Sequence, residues 1–144
     1  IMRTFGAIIS GSTALRYFLD DDDWSPNDLD IYVANDNWDP LLASLTEADS
    51  LGLSLNPPVL LDPRAHPTPK PVDPRTHASA KDWRSVKTLY TATGRKIDVI
   101  RSPANNSMTP LRFFWSTLVM NFLTPDACVC GYPSITFQRF GILK

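Results

Sequence analysis

The chain has 144 residues, of which 43% are hydrophobic and 20% charged, with a formal net charge of −1, the size and make-up of one globular domain of about 100–200 residues. A chain this long buries roughly two thirds of its unfolded surface and needs neither disulfides nor a structural metal to fold. Near-neutral charge argues against a nucleic-acid binder working through bulk electrostatics, and no apolar run approaches the roughly 20 residues of a membrane span.

Phe5–Ser10 is a short apolar run and predicts a strand, followed by the turn Gly11-Ser12 and a helix over Thr13–Asp20. Asp20–Asn27 is a polar loop in which Pro26 and Asn27 stop regular structure. Asp28–Val33 alternates: Leu29, Ile31 and Val33 point to one face of a strand, Asp28, Asp30 and Tyr32 to the other. Asp39-Pro40 supplies an N-cap and a first-turn proline for a helix over about Leu41–Asp49. Residues 57–74 hold seven of the 13 prolines, which predicts a loop insertion over about 56–80. Val86–Ala92 and Lys96–Arg101, joined through Thr93-Gly94-Arg95, read as a β-hairpin. Thr109-Pro110 opens an expected helix through about Phe122, with Phe113, Phe114, Leu118 and Phe122 as a core stripe. Ala127–Tyr132 is the last expected strand, and Ser134 is read as the cap of a short terminal helix. Cys128 and Cys130 fall on one face of that strand. With His66 and His77 far away in the proline-rich stretch, they are read as two buried thiols, not as zinc ligands.

The charge is unevenly spread. Residues 1–50 carry a net −8, residues 51–101 a net +5 and the remainder +2, a segregation compatible with carboxylates facing phosphate-binding cations or with ordinary solvated faces. Ser10-Gly11-Ser12 stands where a strand hands over to a helix. Backbone N–H groups, the helix dipole and the Ser12 hydroxyl converge there, as at phosphate sites, although Gly and Ser are also ordinary turn and cap residues. No Walker A loop is present. Asp28 and Asp30, two apart in a strand, bring like charges to one face, an arrangement relieved by a divalent cation or a cationic partner, and the pair is read as predicting Mg²⁺ or Mn²⁺. A third carboxylate, Asp98, interrupts the apolar strand Lys96-Ile97-Asp98-Val99-Ile100. Arg95 and Lys96 just before it are candidate phosphate contacts, or simply hairpin surface charges.

These residues resemble the nucleotidyltransferase superfamily, also called polymerase-beta-like, in the order Ile8-Ile9-Ser10-Gly11-Ser12, Asp28-Leu29-Asp30-Ile31-Tyr32-Val33 and Ile97-Asp98-Val99. The chain is also similar to uncharacterised fungal proteins with that frame. Fifteen residues lie between Ser12 and Asp28, somewhat more than is common in the family. The resemblance implies an α/β (α+β) fold, a mixed β-sheet flanked by helices forming a single domain over residues 1–144. It implies further that Gly11 and Ser12 hold the triphosphate of a nucleoside triphosphate and that Asp28, Asp30 and Asp98 bind Mg²⁺ or Mn²⁺ and serve as the catalytic carboxylates. In the family's two-metal scheme an acceptor hydroxyl attacks the α-phosphorus and pyrophosphate leaves. The acceptor stays open among nucleic acid, protein and small molecule.

The upstream Ser25-Pro26-Asn27 and Tyr32 argue against a haloacid-dehalogenase type of Asp-x-Asp, and the chain's length argues against a nucleotide-sugar glycosyltransferase. A two-metal nuclease is disfavoured only by motif order. From a different class comes a catalytically inactive nucleotide-binding or protein-interaction module on the same fold. Since the sequence opens on Ile1 and no secretory signal is legible, it is read as a fragment or processed product of a cytoplasmic protein without membrane partners, its acceptor-binding domain missing or supplied by a partner.

Overall fold

The computed structural model describes residues 1–19, 23–58 and 85–144. In chain order the elements are α1 (Met2–Phe5), β1 (Ile8–Ser10), α2 (Gly11–Phe18), β2 (Asp28–Val33), α3 (Trp38–Thr46), β3 (Val86–Tyr90), β4 (Lys96–Arg101), β5 (Asn121–Leu123), β6 (Cys128–Cys130) and α4 (Pro133–Thr136). Three 3₁₀ turns, Asn35–Asn37, Thr109–Phe113 and Thr117–Val119, complete the described part. The strands form one mixed sheet in the order β3-β4-β2-β1-β5-β6, in which β2 and β4 run parallel and every other pair is antiparallel. The expected α+β architecture of a mixed sheet flanked by helices is therefore present. Among the described residues no helix is long and apolar enough to cross a membrane.

Period-two alternation divides the sheet as the sequence suggests. Ile31, Val33, Leu89, Ile97 and Val99 enter a core closed by Trp38, Leu41 and Leu45 of α3, with Leu29 packed against it. Full burial of each such aliphatic side chain stabilises the fold by about 1.5–3 kcal/mol. The opposite face is divided along its length. At one end Ile8, Tyr32 and Ile100 form a second apolar cluster with Leu111 and Phe114. At the other, Ser10, Asp28, Asp30, Lys96 and Asp98 occupy the equivalent positions of the same strands.

Several element boundaries differ from expectation. Phe5 closes α1, which ends on Gly6 in the left-handed region (φ 58°), so β1 begins only at Ile8. Helix α2 starts at Gly11 and stops at Phe18. Helix α3 starts at Trp38, three residues before the expected Leu41, because the Asn35–Asn37 turn leads directly into it. Asp39 and Pro40 thus lie inside its first turn and Asn37 is its flanking residue, without a side-chain cap bond. The hairpin of β3 and β4 forms as read, its turn closed by the Thr91 N–H donating to the Arg95 carbonyl (3.0 Å) and by Gly94 at φ 83°. Most of the proline-rich stretch, from residue 59 to 80, and Asp20–Asp22 of the first loop lie outside the described residues.

The largest correction concerns Thr109–Phe122, which is not one helix. A 3₁₀ turn ends at Phe113, Phe114 is extended (φ −61°, ψ 144°), and Ser116 is extended too, its hydroxyl accepting from the Leu118 N–H. Asn121 then holds the chain in a sheet. Fully buried, it donates from Nδ2 to the Leu118 carbonyl (2.8 Å), accepts at Oδ1 from the Gly131 N–H (3.1 Å), and its carbonyl receives the Ser10 hydroxyl. These bonds bind β5 to its neighbours and outcompete the helical pattern of the aromatic residues. Of the expected stripe only Phe114 is buried. Phe113 is exposed, and Leu118 and Phe122 are half-buried. Two smaller corrections follow at the sheet edge. Cys128 is exposed and Cys130 half-buried, because β6 is the last strand and leaves them uncovered. Ser134 lies inside α4, which is flanked by Tyr132 and has no side-chain cap bond.

Candidate functional site

One row of residues crosses the sheet in register: Thr88, Asp98, Asp30 and Ser10, on β3, β4, β2 and β1. The next row pairs Asp28 with Lys96. Directly paired residues on neighbouring strands share a face at a strand spacing of about 4.8 Å, so the pairing brings Asp28, Asp30 and Asp98 together across 70 residues of chain. One carboxylate oxygen from each lies within 4.8 Å of the other two.

The electrostatics of this cluster are strained and only partly relieved. Asp30 is raised from 3.8 to about 6, first by burial and then by the charges of Asp28 and Asp98, with Lys96 opposing. The Lys96 ammonium bonds Asp98 Oδ2 at 2.6 Å and stands 3.7 Å from Asp28 Oδ2. Burial alone would lower the lysine's pKa, but the Asp98 hydrogen bond and the charges of the three aspartates more than reverse this, and it ends raised. The other oxygen of Asp98 accepts from the Thr88 hydroxyl (2.7 Å). With Asp28, Asp30 and Asp98 all ionised, one ammonium leaves two negative charges uncompensated. Clustered oxygen donors with that excess charge could hold a metal ion.

Gly11 abuts this cluster. It takes φ 69°, and a Cβ added there would collide with Asp30 Oδ2. The position thus demands glycine twice: for its left-handed backbone and for the close approach of the turn to the carboxylate. Ser12, with Gly11 and Asp30, lines a cavity of about 350 Å³ whose remaining wall is Tyr32, Phe114, Trp115 and Val119. A second cavity, of about 390 Å³, opens on the Asp28 side, and Thr13, Arg16, Arg95 and Lys96 are among its lining residues. Thr13 donates to the Asp28 carbonyl there (3.0 Å), tying α2 to the start of β2.

All five candidate site residues, Gly11, Ser12, Asp28, Asp30 and Asp98, therefore fall on one stretch of the sheet face and the turn beside it. Lys96, by sequence a phosphate contact or a hairpin surface charge, is the counter-ion of the carboxylates. Its parity with Asp98 in the strand was the available signal. Thr88 carried no signal, since only the β3–β4 register aligns it with Asp98. Phe114 and Trp115 are cavity walls that the helical pattern over Thr109–Phe122 conceals. No protein-family model, curated protein or solved structure matches the chain.

Proposed function

We propose that this chain is a metal-dependent nucleotidyltransferase, moving a nucleoside monophosphate from a nucleoside triphosphate to an acceptor hydroxyl and releasing pyrophosphate. The observation that supports the reading is the convergence of Asp28, Asp30 and Asp98 within 4.8 Å beside a left-handed Gly11 whose backbone abuts Asp30. In this reading the carboxylates hold Mg²⁺ or Mn²⁺, which when bound would neutralise the triphosphate and acidify the acceptor hydroxyl. The Gly11-Ser12 turn at the start of α2 receives the phosphates. The acceptor oxygen forms a bond to the α-phosphorus, the bond to the bridging oxygen of the departing pyrophosphate breaks, and Asp98 takes up the hydroxyl proton. Arg95, which lines the cavity on the Asp28 side, suits an anionic acceptor.

The Lys96 position favours a second reading. An ammonium already bonded to Asp98 and close to Asp28 stands where a metal ion would, as in a nucleotide-binding module without turnover. Calorimetric titration of a non-hydrolysable nucleoside triphosphate with Mg²⁺ into the wild type and the Asp28→Asn, Asp30→Asn double variant tests the site. Binding lost in the double variant is expected, and no binding to the wild type overturns both readings. Magnesium-dependent pyrophosphate release over a panel of acceptors separates the transferase from the module.

A further inference from the structure

Trp115 is 66% exposed, yet its backbone and that of the two residues after it are bonded to residues 142–144. Its carbonyl accepts from the Lys144 N–H (3.0 Å), Ser116 pairs with Leu143, and the Thr117 N–H donates to the Ile142 carbonyl (3.0 Å). The Lys144 ammonium further bonds the Arg112 carbonyl (2.6 Å). The indole is thus held out from a braced segment rather than carried on a loose one. An isolated exposed aromatic residue is ordinary. This one walls the cavity that also contains Gly11, Ser12 and Asp30.

The composition of that cavity changes along its length. Asp30 and Tyr32 are one strand repeat apart on the same face, about 6.6 Å. Around Asp30 lie the Gly11-Ser12 turn and the carboxylates. Around Tyr32 the walls are aromatic and aliphatic, with the Phe114 ring centroid 5.7 Å from that of Tyr32 and both residues buried. At about 350 Å³ the space falls in the range of about 300–1,000 Å³ typical of small-molecule sites. A polar end suited to phosphate and metal that runs into an aromatic end suits a ligand with an anionic tail and a flat, apolar-faced ring.

We infer that Trp115 is the platform on which the heterocycle of the bound nucleotide stacks, so that the site prefers nucleoside triphosphates to bare triphosphate. The inference rests on the nucleotide reading of the carboxylate site and adds the element that recognises the nucleoside. Stacking engages the π-face that every base has. No ring-edge recognition is invoked, so all four bases bind, purines at least as well as pyrimidines.

The test is calorimetric titration, with Mg²⁺ present, of non-hydrolysable analogues of the four nucleoside triphosphates and of inorganic tripolyphosphate into the wild type, Trp115→Ala and Trp115→Phe. Circular dichroism checks that each variant is folded. Trp115→Ala is expected to weaken nucleotide binding roughly 5- to 150-fold, the range of one lost base stack, with tripolyphosphate affinity unchanged and Trp115→Phe restoring most of the loss. Equal losses for nucleotide and tripolyphosphate, or no loss for nucleotide, would overturn the inference. A wild type that binds tripolyphosphate as tightly as nucleotides overturns it too, while leaving the phosphate and metal site intact. Failure of the wild type to bind either ligand overturns the inference together with the nucleotide reading beneath it.

Discussion

Asp30 and Asp98 stand directly opposite one another on the parallel strands β2 and β4, two carboxylates on one face of a sheet. Asp30 is raised to about 6, by burial first and by its acidic neighbours second. The protein thus keeps a charge arrangement that opposes its own folding. Replacing Asp30 with Asn removes one of the repelling charges at unchanged shape. Thermal denaturation of the metal-free variant near neutral pH is expected to show a melting temperature higher by on the order of a few degrees, while binding of Mg²⁺ with nucleotide is lost. A variant that melts lower than wild type would contradict the repulsion argument.

The same carboxylate sets a pH dependence with a definite sign. Because its folded value of about 6 lies above the ordinary 3.8, the folded state holds the Asp30 proton more tightly than the unfolded chain. That contribution to stability is fully present below 3.8 and is lost as the pH rises through about 6. The melting-temperature advantage of Asp30→Asn over wild type is therefore expected to be greatest at about pH 8 and to vanish only as the pH falls below 3.8. An advantage independent of pH would assign it to something other than this proton.

In the proposed function Lys96, bonded to Asp98 and close to Asp28, competes for the place of the metal ion. Lys96→Met keeps the aliphatic stem but leaves the three carboxylates without their ammonium. The metal-free variant is expected to melt below wild type, and its affinity for Mn²⁺ alone, read by calorimetry, to rise roughly 3- to 10-fold, as expected for removing a nearby like charge in a partly solvated site. Unchanged Mn²⁺ affinity would show that the ammonium and the metal do not share the site.

Gly11→Ala adds a methyl group where the turn meets Asp30 Oδ2 and places a side chain on a φ of 69°. The backbone conformation alone costs about 1–2 kcal/mol, and the Asp30 carboxylate has to move. Both a lower melting temperature and loss of metal-nucleotide binding are expected, measured on the same preparation. Normal binding would separate the turn from the carboxylate site.

Asn121 serves the fold rather than the site. Fully buried, it satisfies the Leu118 carbonyl and the Gly131 N–H. Asn121→Ala leaves both without their partner and is expected to destabilise the protein by about 2–4 kcal/mol in urea unfolding. A cost below about 0.5 kcal/mol would mean that the break in the Thr109–Phe122 segment has another cause.

What the sequence by itself determined are the features that depend on near neighbours. Alternation in Asp28–Val33 assigned each residue to a sheet face, and Thr93-Gly94-Arg95 marked the hairpin. The handover from strand to helix at Ser10-Gly11-Ser12 was legible, although α2 already starts at Gly11, and local pattern with family resemblance points to the five candidate site residues. Only tertiary structure decided what depends on strand register and on competition between distant partners. Parallel pairing of β2 with β4 puts Asp98 opposite Asp30 and Lys96 opposite Asp28, contacts that no spacing within either segment encodes. Likewise, aromatic residues at helical spacing favour a helix over Thr109–Phe122, but the hydrogen bonds that Asn121 accepts from the Gly131 N–H and the Ser10 hydroxyl are available only in the assembled sheet. They break that helix and leave Trp115 at the cavity wall. A periodic pattern reports which side of an element prefers burial, whereas its final conformation depends on which buried polar groups find partners elsewhere in the fold.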